Sequence, residues 1–581
     1  MTKNGVLILR KQKIKVTFVQ YIIYKSNSST MKRFGLFTTI ATALLIVASN
    51  AFAQIPGIKT PDSIEFQSGT NVCINAVIST AKESVTLHAK DAWFGVANRP
   101  SIAKRQKHTV HLWAEPNFTT KERTSSLVIT TADGKSHEIK VSQPPYLTSP
   151  TTHTAARLML QKGASHTGEW EESGICSTRN GSGYFAVVPV HGKPLATGFD
   201  KGLTIASLDK GDYLLFVMPN GDIKAGALFD FGCTLNASDE LSPTHFIFEY
   251  WDGSKWVAPQ SERLRRTANG EPYSFYNKYF RSAHYTTFAE SFRLEEAATE
   301  CVKVRLRVVK GGQGVTNIAA RSAYVGMQLI HYPHIGSMRD SHRILFVGNS
   351  FTYYFGTPFM LKEIAASQGH AIDAVVSIKG GQEFAEHLLL ERTIEAIERG
   401  GYDYAFLQDS SPNQAYYADT KRADIRSASR QINQLTLKHS PKCRIIYEHT
   451  WACPYQNYRG FGSYERLDAL LYEGVHLLAK EVGNVWGISP IGEGFRQGRM
   501  ANLPLLYRDN RHQSREGAYM KSCINYLYLF GEPFDERVAD CGINPQIAAT
   551  IRRIATEVVA KARKAEKEGK TGEWKIWSNY Q

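Results

Sequence analysis

The 581-residue chain lacks the sequence features that mark several large classes of protein. No two of its eight cysteines form a C-x-x-C pair, so we expect no structural zinc site. It has no dense run of Lys and Arg of the kind that binds nucleic-acid phosphates. Its apolar run at residues 34–47 is shorter than the roughly 20 residues that a membrane-spanning helix needs. The sequence therefore predicts no nucleic-acid partner and no stable membrane span.

Acidic residues are absent from the first 53 residues, which carry eight Lys or Arg. Met31-Lys-Arg33 precedes the apolar run, and Ala51-Phe-Ala53 follows it as a small-residue cleavage site. We therefore expect a signal peptide at residues 31–53, cleaved after Ala53, with Met31 as the true start and residues 1–30 as an upstream extension. The protein would then be exported to the periplasm or the extracellular space.

Removing these 53 residues leaves 61 Lys or Arg against 54 Asp or Glu, which lowers the formal net charge from +15 to +7. No cysteine comes directly after Ala53, so we expect no lipid anchor at that point. Disulfides can form in an exported protein. Cys443 with Cys453, and Cys523 with Cys541, could therefore close short loops, or these cysteines could be buried thiols.

Residues 58–146 alternate polar and apolar side chains in short runs, which predicts strands and no helices. Residues 124–130 and 136–141 flank Asp133-Gly134, a typical hairpin turn. The segment is therefore predicted to be a small β-sandwich. The pattern of Asn117, Arg123, Leu127-Val-Ile129 and Ile139-Lys-Val-Ser-Gln143 resembles the final strands of BACON domains, Ig-like domains often attached to carbohydrate-active enzymes.

Pro144-Pro145 and Pro150 mark a linker, after which residues 151–336 are again rich in strand-like runs. The clearest runs are residues 213–218, 244–250 and 302–308. We expect a second β-sandwich, of jelly-roll type. Four aromatic side chains of this segment could stack on sugars, but packing in the core or at its rim is the simpler interpretation; they are Trp251, Trp256, Tyr276 and Tyr279.

From residue 340 to residue 570, strand-like and helix-like segments alternate at short spacing, which is typical of stacked βαβ units. The predicted strands are residues 343–348, 372–378, 402–408, 443–448 and 484–488. The predicted helices are residues near 358–369, 383–399, 420–438, 463–482, 518–530 and 545–567. We therefore expect a multidomain chain, with two β-sandwiches followed by an α/β/α domain that has a parallel sheet.

Ser350 occupies the most informative position in the sequence. Residues 344–347 predict a buried strand, and the Gly348-Asn349 turn delivers Ser350 to its carboxyl end, where open α/β sheets bind ligands. A serine hydroxyl is a poor nucleophile until a histidine held by a carboxylate accepts its proton. Asp509 and His512 lie in a loop before an apolar helix and could supply that pair.

Two motifs resemble the first and last blocks of the SGNH (GDSL-type) hydrolases. They are Gly348-Asn-Ser-Phe351 and Asp509-x-x-His512. The resemblance covers residues 343–531, about a third of the chain. It implies a flavodoxin-like α/β/α fold that hydrolyses esters, and we expect the mechanism to need no cofactor and no metal.

The same resemblance implies catalytic roles for three residues of the two motifs. Ser350 would be the nucleophile, His512 the general base and Asp509 the acid that orients the base. One departure is Gln513, which stands where relatives commonly have a proline after this histidine.

The oxyanion hole is predicted from the second and third blocks. Gly380-Gly381 matches the block whose glycine amide points into the hole, with Gly381 as the first candidate of the two, and the Ser350 amide would be another donor. The third block departs from the family, because residues 406–413 replace the expected Gly-x-Asn-Asp. A side-chain donor is still needed there, and Gln408 at the strand end is the first candidate, with Asn413 as the second.

Three further polar or aromatic residues lie near the predicted strand ends. His449 and Trp451 could line the cleft and bind substrate, or they could pack in the core. Glu493 falls in a glycine-rich stretch, where a solvated loop carboxylate is a simpler interpretation than an acid/base catalyst.

These observations predict a secreted serine esterase that removes O-acetyl or other acyl groups from a polysaccharide or glycan. Two alternatives remain open. A lipase or thioesterase would use the same three residues. A glycan-binding surface protein could instead carry a catalytically silent α/β domain.

Overall fold

The computed structural model describes most of the chain after residue 53. The described ranges are 54–55, 58–67, 74–80, 83–97, 100–147, 153–158, 168–170, 175–178, 181–191, 197–198, 203–237, 245–259, 264–266, 272–274, 279–280, 286–298, 300–312, 315–318 and 327–570. Within these ranges, no helix has the length and apolar character needed to cross a membrane. The predicted signal peptide and Tyr276 lie outside them.

The first β-rich segment contains two sheets that share one apolar core. The predicted hairpin is confirmed, because Arg123–Thr131 pairs with Ser136–Gln143 and Gly134 turns the chain at φ +84°. Alternate residues such as Ile129 and Val141 are fully buried, as a sheet with one covered face requires. The strands are Gln54–Ile55, Ile58–Lys59, Ser63–Glu65, Ile74–Thr80, Val85–Ala89, Phe94–Val96, Ser101–Ile102, Lys107–Ala114, Arg123–Thr131 and Ser136–Gln143.

The second β-rich segment has two larger antiparallel sheets and a separate two-stranded one. Phe216 and Leu306 of one large sheet share a core with Phe231 and Leu329 of the other. The strands are Ala155–Leu158, Gly168–Trp170, Ile175–Thr178, Tyr184–Val188, Thr197–Gly198, Leu203–Ala206, Tyr213–Pro219, Leu228–Ala237, His245–Trp251, Trp256–Val257, Leu264–Arg266, Pro272–Ser274, Tyr279–Phe280, Thr286–Arg293, Cys301–Lys310, Val315–Ile318 and Met327–His331. The Ig-like and jelly-roll assignments of the two segments stay predictions.

The remaining part of the chain is built on a five-stranded parallel sheet. Its strands in chain order are His342–Gly348, Ile372–Ile378, Tyr404–Leu407, Arg444–Glu448 and Gly487–Ser489, and in space the second strand is at one edge, followed by the first, third, fourth and fifth. The helices are Ser350–Tyr353, Thr357–Ser367, Phe384–His387, Glu391–Glu398, Asn413–Thr420, Ala423–His439, Tyr464–Val482, Ile491–Met500, Arg515–Phe530 and Pro545–Lys567. Short 3-10 turns lie at Met338–Asp340, Tyr354–Gly356 and Tyr458–Gly460.

The two faces of this sheet are covered by different helices. Ile344 and Phe346 of the first strand belong to a core that includes residues of the Arg515–Phe530 and Pro545–Lys567 helices. Leu345 and Val347 belong to a second core on the opposite face. Because successive strand residues point to opposite faces, this alternation gives the predicted α/β/α layering.

The structure corrects two helix predictions in this region. The helix expected near 383–399 is two helices, because the chain is extended at Leu390, with ψ 113°. The Ile491–Met500 helix was not predicted, because glycines have low helix propensity. Here they permit close packing, since a Cβ on Gly494 would lie 2.3 Å from a methyl group of Ile524.

The Thr357–Ser367 helix also packs against the second β-rich segment. Lys362 forms a fully buried ion pair with Asp230. Arg157 pairs with Glu363 at 3.2 Å, and the Gln328 side chain donates to the carbonyl of Phe359 in the helix at 2.9 Å. Buried polar contacts therefore join the parallel-sheet domain to its β-rich neighbour.

We expect Gly474→Ala to lower the free energy of unfolding. A Cβ at this position would lie 1.7 Å from the Gln414 carbonyl oxygen, so the Tyr464–Val482 and Asn413–Thr420 helices would have to separate. Overpacking of about 3 kcal/mol exceeds the gain of about 1 kcal/mol from replacing glycine by alanine in a helix. The measurement is the urea midpoint. Gly336→Ala is the control, because no atom lies within 4 Å of its added Cβ, and equal midpoints for the two variants would refute the prediction.

Candidate active site

The structure brings Ser350, His512 and Asp509 into one hydrogen-bonded line. The Ser350 hydroxyl Oγ lies 2.9 Å from Nε2 of His512, and Nδ1 of the same ring lies 2.5 Å from an Asp509 carboxylate oxygen. A carboxylate can only accept, so Nδ1 carries the proton and donates it. Nε2 is therefore the acceptor for the Ser350 hydroxyl, which is the arrangement that a general base requires.

Asp509 is held in its charged form by several donors. Its other oxygen accepts from the backbone N–H groups of Arg511 and His512, each at 3.0 Å. Burial raises the pKa of Asp509, but these hydrogen bonds and the one from the His512 ring outweigh it and lower the pKa. Burial also lowers the pKa of His512, and Asp509 opposes this effect only in part. The ring is therefore neutral and able to accept a proton near neutral pH.

Aromatic rings fix the orientation of the His512 imidazole. Tyr354 stacks on it with the ring centroids 4.1 Å apart and the planes 2° from parallel. Phe351, next to the serine, meets the same ring edge-on at 5.6 Å. The indole N–H of Trp451 donates to the carbonyl of Arg511 at 3.0 Å, which anchors the loop that carries the histidine.

The turn that carries Ser350 is held by the side chain of Asn349. Its oxygen accepts from the Phe351 N–H at 3.1 Å and so caps the short Ser350–Tyr353 helix. Its amide nitrogen donates to the carbonyl oxygens of Gln382 at 3.0 Å and Asp409 at 3.2 Å. One side chain thus connects the loops that follow the first three strands.

The amides of Gln408 and Asn413 are engaged with other protein groups. The Gln408 oxygen accepts from the Asn349 N–H at 3.2 Å and from the Thr352 hydroxyl at 3.1 Å, and its nitrogen donates to the Asp409 carbonyl. The Asn413 nitrogen donates to carboxylate oxygens of Asp409 and Glu383. Both residues, predicted as oxyanion donors, therefore brace the turn and the neighbouring loops in this structure.

Backbone amides lie at the two other predicted oxyanion positions. Ser350 is the first residue of its helix, where an N–H has no helical acceptor. Gly381 follows the second strand in the left-handed conformation, with φ +75°. In the described part of the chain, neither amide has a hydrogen-bond acceptor, so both can donate to a bound oxygen.

A buried histidine, His387, supports the turn that carries Ser350, and no sequence pattern indicates this role. Its Nε2 donates to the carbonyl of Gly348 at 2.9 Å, so its Nδ1 accepts from the Thr393 hydroxyl at 3.0 Å. Burial lowers the pKa of His387 to about 4, so the ring is neutral. It is a positioning residue, because it reaches the serine only through the backbone.

A buried ion pair, Lys521 with Glu448, lies behind the same turn. The Lys521 ammonium lies 2.6 Å from Glu448 and donates to the Phe351 carbonyl at 2.9 Å and the Thr352 hydroxyl at 3.2 Å. Asn525 donates to the second Glu448 oxygen at 3.1 Å. The charges are therefore paired and hydrogen-bonded, as burial of ions requires.

The structure decides between the two interpretations of His449 and Trp451 and corrects the interpretation of Glu493. His449 and Trp451 are 1% and 2% exposed, so they do not line the surface of the cleft. Trp451 instead lies between Phe351 and Phe495, stacked on both at about 4 Å between centroids. Glu493 is not a solvated loop residue, because it is buried in the Ile491–Met500 helix and pairs with Arg496.

Of the two possibilities for these four cysteines, short-loop disulfides and buried thiols, the structure shows buried thiols. Cys443, Cys453, Cys523 and Cys541 are all free and buried, and they pack as small apolar side chains. Within the described ranges, no three metal-binding side chains come together. Trp251 and Trp256 are half-buried and pack edge to face, with centroids 5.5 Å apart.

No model of a protein family matches this chain, and no curated protein matches it. Solved structures similar to it include a DUF4886 family protein from Bacteroides uniformis, at 19% identity and TM-score 0.32, covering 38% of this chain and 95% of that protein. A lipase from a goat rumen metagenome has 12% identity and TM-score 0.26, covering 32% and 97%. A peptidoglycan O-acetylesterase has 11% identity and TM-score 0.30, covering 65% and 81%. Lipases and esterases are thus among the similar structures, at low identity.

We expect Lys521→Met to lower the free energy of unfolding by about 3–5 kcal/mol, because it leaves the Glu448 charge buried and unpaired. The double variant Lys521→Met/Glu448→Gln removes that charge and should recover more than half of the loss. Urea unfolding checks both. Lys564→Met is the control. This substitution should leave the urea midpoint unchanged, because the ion pair of Lys564 with Glu568 is exposed. A double variant no more stable than the single one would contradict this explanation.

Proposed function

We propose that this protein is a serine esterase of the SGNH type. The observation that carries the proposal is the continuous line from the Ser350 hydroxyl through the His512 ring to the Asp509 carboxylate, with contacts of 2.9 and 2.5 Å. Each atom in this line has the donor or acceptor role that acyl transfer needs. The free amides of Ser350 and Gly381 add the donors for a developing oxyanion.

The proposed reaction has two halves. Ser350 Oγ attacks the ester carbonyl while His512 Nε2 takes its proton, and the carbonyl oxygen becomes an oxyanion that accepts from the Ser350 and Gly381 amides. His512 then gives the proton to the departing alcohol, which leaves an acyl-serine. In the second half His512 takes a proton from water as the water oxygen attacks the acyl carbon. His512 then returns this proton to Ser350 Oγ as the acyl–serine bond breaks, which releases the carboxylic acid and restores the serine hydroxyl.

For the substrate, we propose an acylated polysaccharide or glycan, with O-acetyl as the acyl group. Support comes from the predicted signal peptide at residues 31–53 and from the two β-rich segments before the parallel-sheet domain. The BACON resemblance of the first segment and its assignment as an Ig-like sandwich point the same way.

We expect Ser350→Ala and His512→Ala each to reduce kcat/KM for p-nitrophenyl acetate at least about a hundredfold, because each removes one half of the proton transfer. Ser427→Ala is the control, since Ser427 is exposed on the Ala423–His439 helix. A fluorophosphonate probe should label the parent protein and the control but not Ser350→Ala. A folded parent that is no faster than its variants would favour the alternative, a glycan-binding protein with a silent domain.

The pH dependence should report the His512 ring. The ring acts as a base only when neutral, and burial lowers its pKa, so activity is lost as the pH falls through a value below the ordinary 6.5. Asp509→Asn removes the charge that raises this pKa, so the acidic limb should move further down while the rate falls. The measurement is kcat/KM from pH 4.5 to 8. A limb that moves upward in the Asn variant would be incompatible with this assignment.

A further inference from the structure

An exposed aromatic loop follows the fourth strand and reaches the loop of Asp509. The carboxyl ends of parallel strands meet at one edge of a sheet, so the chain after Arg444–Glu448 emerges at the same edge as Ser350. Tyr455 in this loop is 41% exposed, one of five exposed large hydrophobic side chains in the described part of the chain. Its hydroxyl donates to the backbone carbonyl of Asp509. The exposed ring therefore lies beside the proposed catalytic line.

The loop has a fixed shape. Asn457 and Arg459 are non-glycine residues in the left-handed region, with φ +48° and +55°. Such residues cost free energy and persist only where the surrounding contacts hold them. The Asn457 N–H donates to the Gly462 carbonyl at 2.7 Å, and the Gly462 N–H donates to the Asn457 side chain at 3.0 Å. These two bonds close the turn from Asn457 to Gly462, directly after Tyr455.

A second ring lies half-buried beside Tyr455 and packs against an apolar cluster that includes Phe461. Tyr458 lies 6.3 Å from Tyr455 between centroids, with the planes 24° from parallel. The Arg459 guanidinium lies 5.9 Å from the Tyr458 centroid. The surface thus combines flat apolar faces with a guanidinium and a backbone-tethered hydroxyl, which is the mixture that binds the C–H face and the hydroxyl groups of a sugar ring.

We propose that Tyr455 and Tyr458 form a subsite for a pyranose ring of the substrate, on the side of the alcohol that leaves Ser350. This inference rests on the proposed esterase function and names the part of the substrate that the enzyme selects. A surface on the alcohol side discriminates glycan esters from simple esters without taking part in the acyl transfer. An aromatic acyl group would be the competing occupant of the same rings.

The test compares three variants on three esters. The probes are acetylated xylo-oligosaccharides, p-nitrophenyl acetate and methyl ferulate. The quantity compared is the selectivity ratio, which is kcat/KM for acetylated xylo-oligosaccharides divided by kcat/KM for p-nitrophenyl acetate. Tyr455→Ala should lower this ratio at least about tenfold, mainly because KM for the oligosaccharides rises. Tyr455→Phe keeps the ring and loses only the bond to Asp509, so it should keep the parent ratio. Trp486→Ala is the matched control, since Trp486 is also 41% exposed but precedes the fifth strand, at the opposite edge of the sheet.

Each contrary outcome has a distinct meaning. A parent inactive on every ester overturns the proposed function itself. A parent active on p-nitrophenyl acetate but on none of the acetylated oligosaccharides, or a ratio unchanged in Tyr455→Ala, overturns the subsite alone. Equal losses in Tyr455→Ala and Tyr455→Phe on all esters would make Tyr455 only a support for Asp509. A selective loss on methyl ferulate would assign the rings to the acyl group. Urea midpoints equal to the parent's show that each variant is folded.

Discussion

The side-chain amide of Asn349 is the interaction on which the geometry of the site depends. It caps the helix that begins with Ser350, and it donates to carbonyl oxygens in the loops after the second and third strands. The Ser350 turn and the loops after the second and third strands are therefore fixed by one planar group. Because an amide has a defined donor side and acceptor side, no other side chain of similar size offers the same pattern.

Most of the parallel-sheet fold, and the meeting of Ser350 with His512 and Asp509, could be predicted from the sequence, because the signals for both are local. Ser350 was found from a buried strand and its turn, and Asp509-x-x-His512 from spacing within one loop. Lys521 and Glu448 could not be found, since only the tertiary fold brings a helix lysine to a distant strand end. The prediction of a solvated loop around Glu493 is wrong, because glycines usually indicate a loop. Here the glycines let a helix approach its neighbours closely.

The buried polar groups around Ser350 explain why Gln408 and Asn413 brace the neighbouring loops, although both were candidates for binding an oxyanion. In this structure the Gln408 oxygen supports the turn, while the Lys521 ammonium fills the space behind it and binds the Phe351 carbonyl. An extended hydrogen-bonded network of this kind is rigid when every member has its partners. The candidate oxyanion donors that remain are the backbone amides of Ser350 and Gly381, whose positions depend on the backbone and not on a side-chain rotamer.

The contact between the Thr357–Ser367 helix and the second β-rich segment has a consequence for how such chains evolve. Ala366 and Ala371 on the parallel-sheet side share a buried apolar cluster with Ile330 and Tyr332 on the other side, and Lys362 is neutralised across the same boundary. Removal of the chain before about residue 336 would expose this apolar cluster to water beside the Thr357–Ser367 helix. Recombination that moves the parallel-sheet part into another protein would therefore have to carry its β-rich neighbour with it.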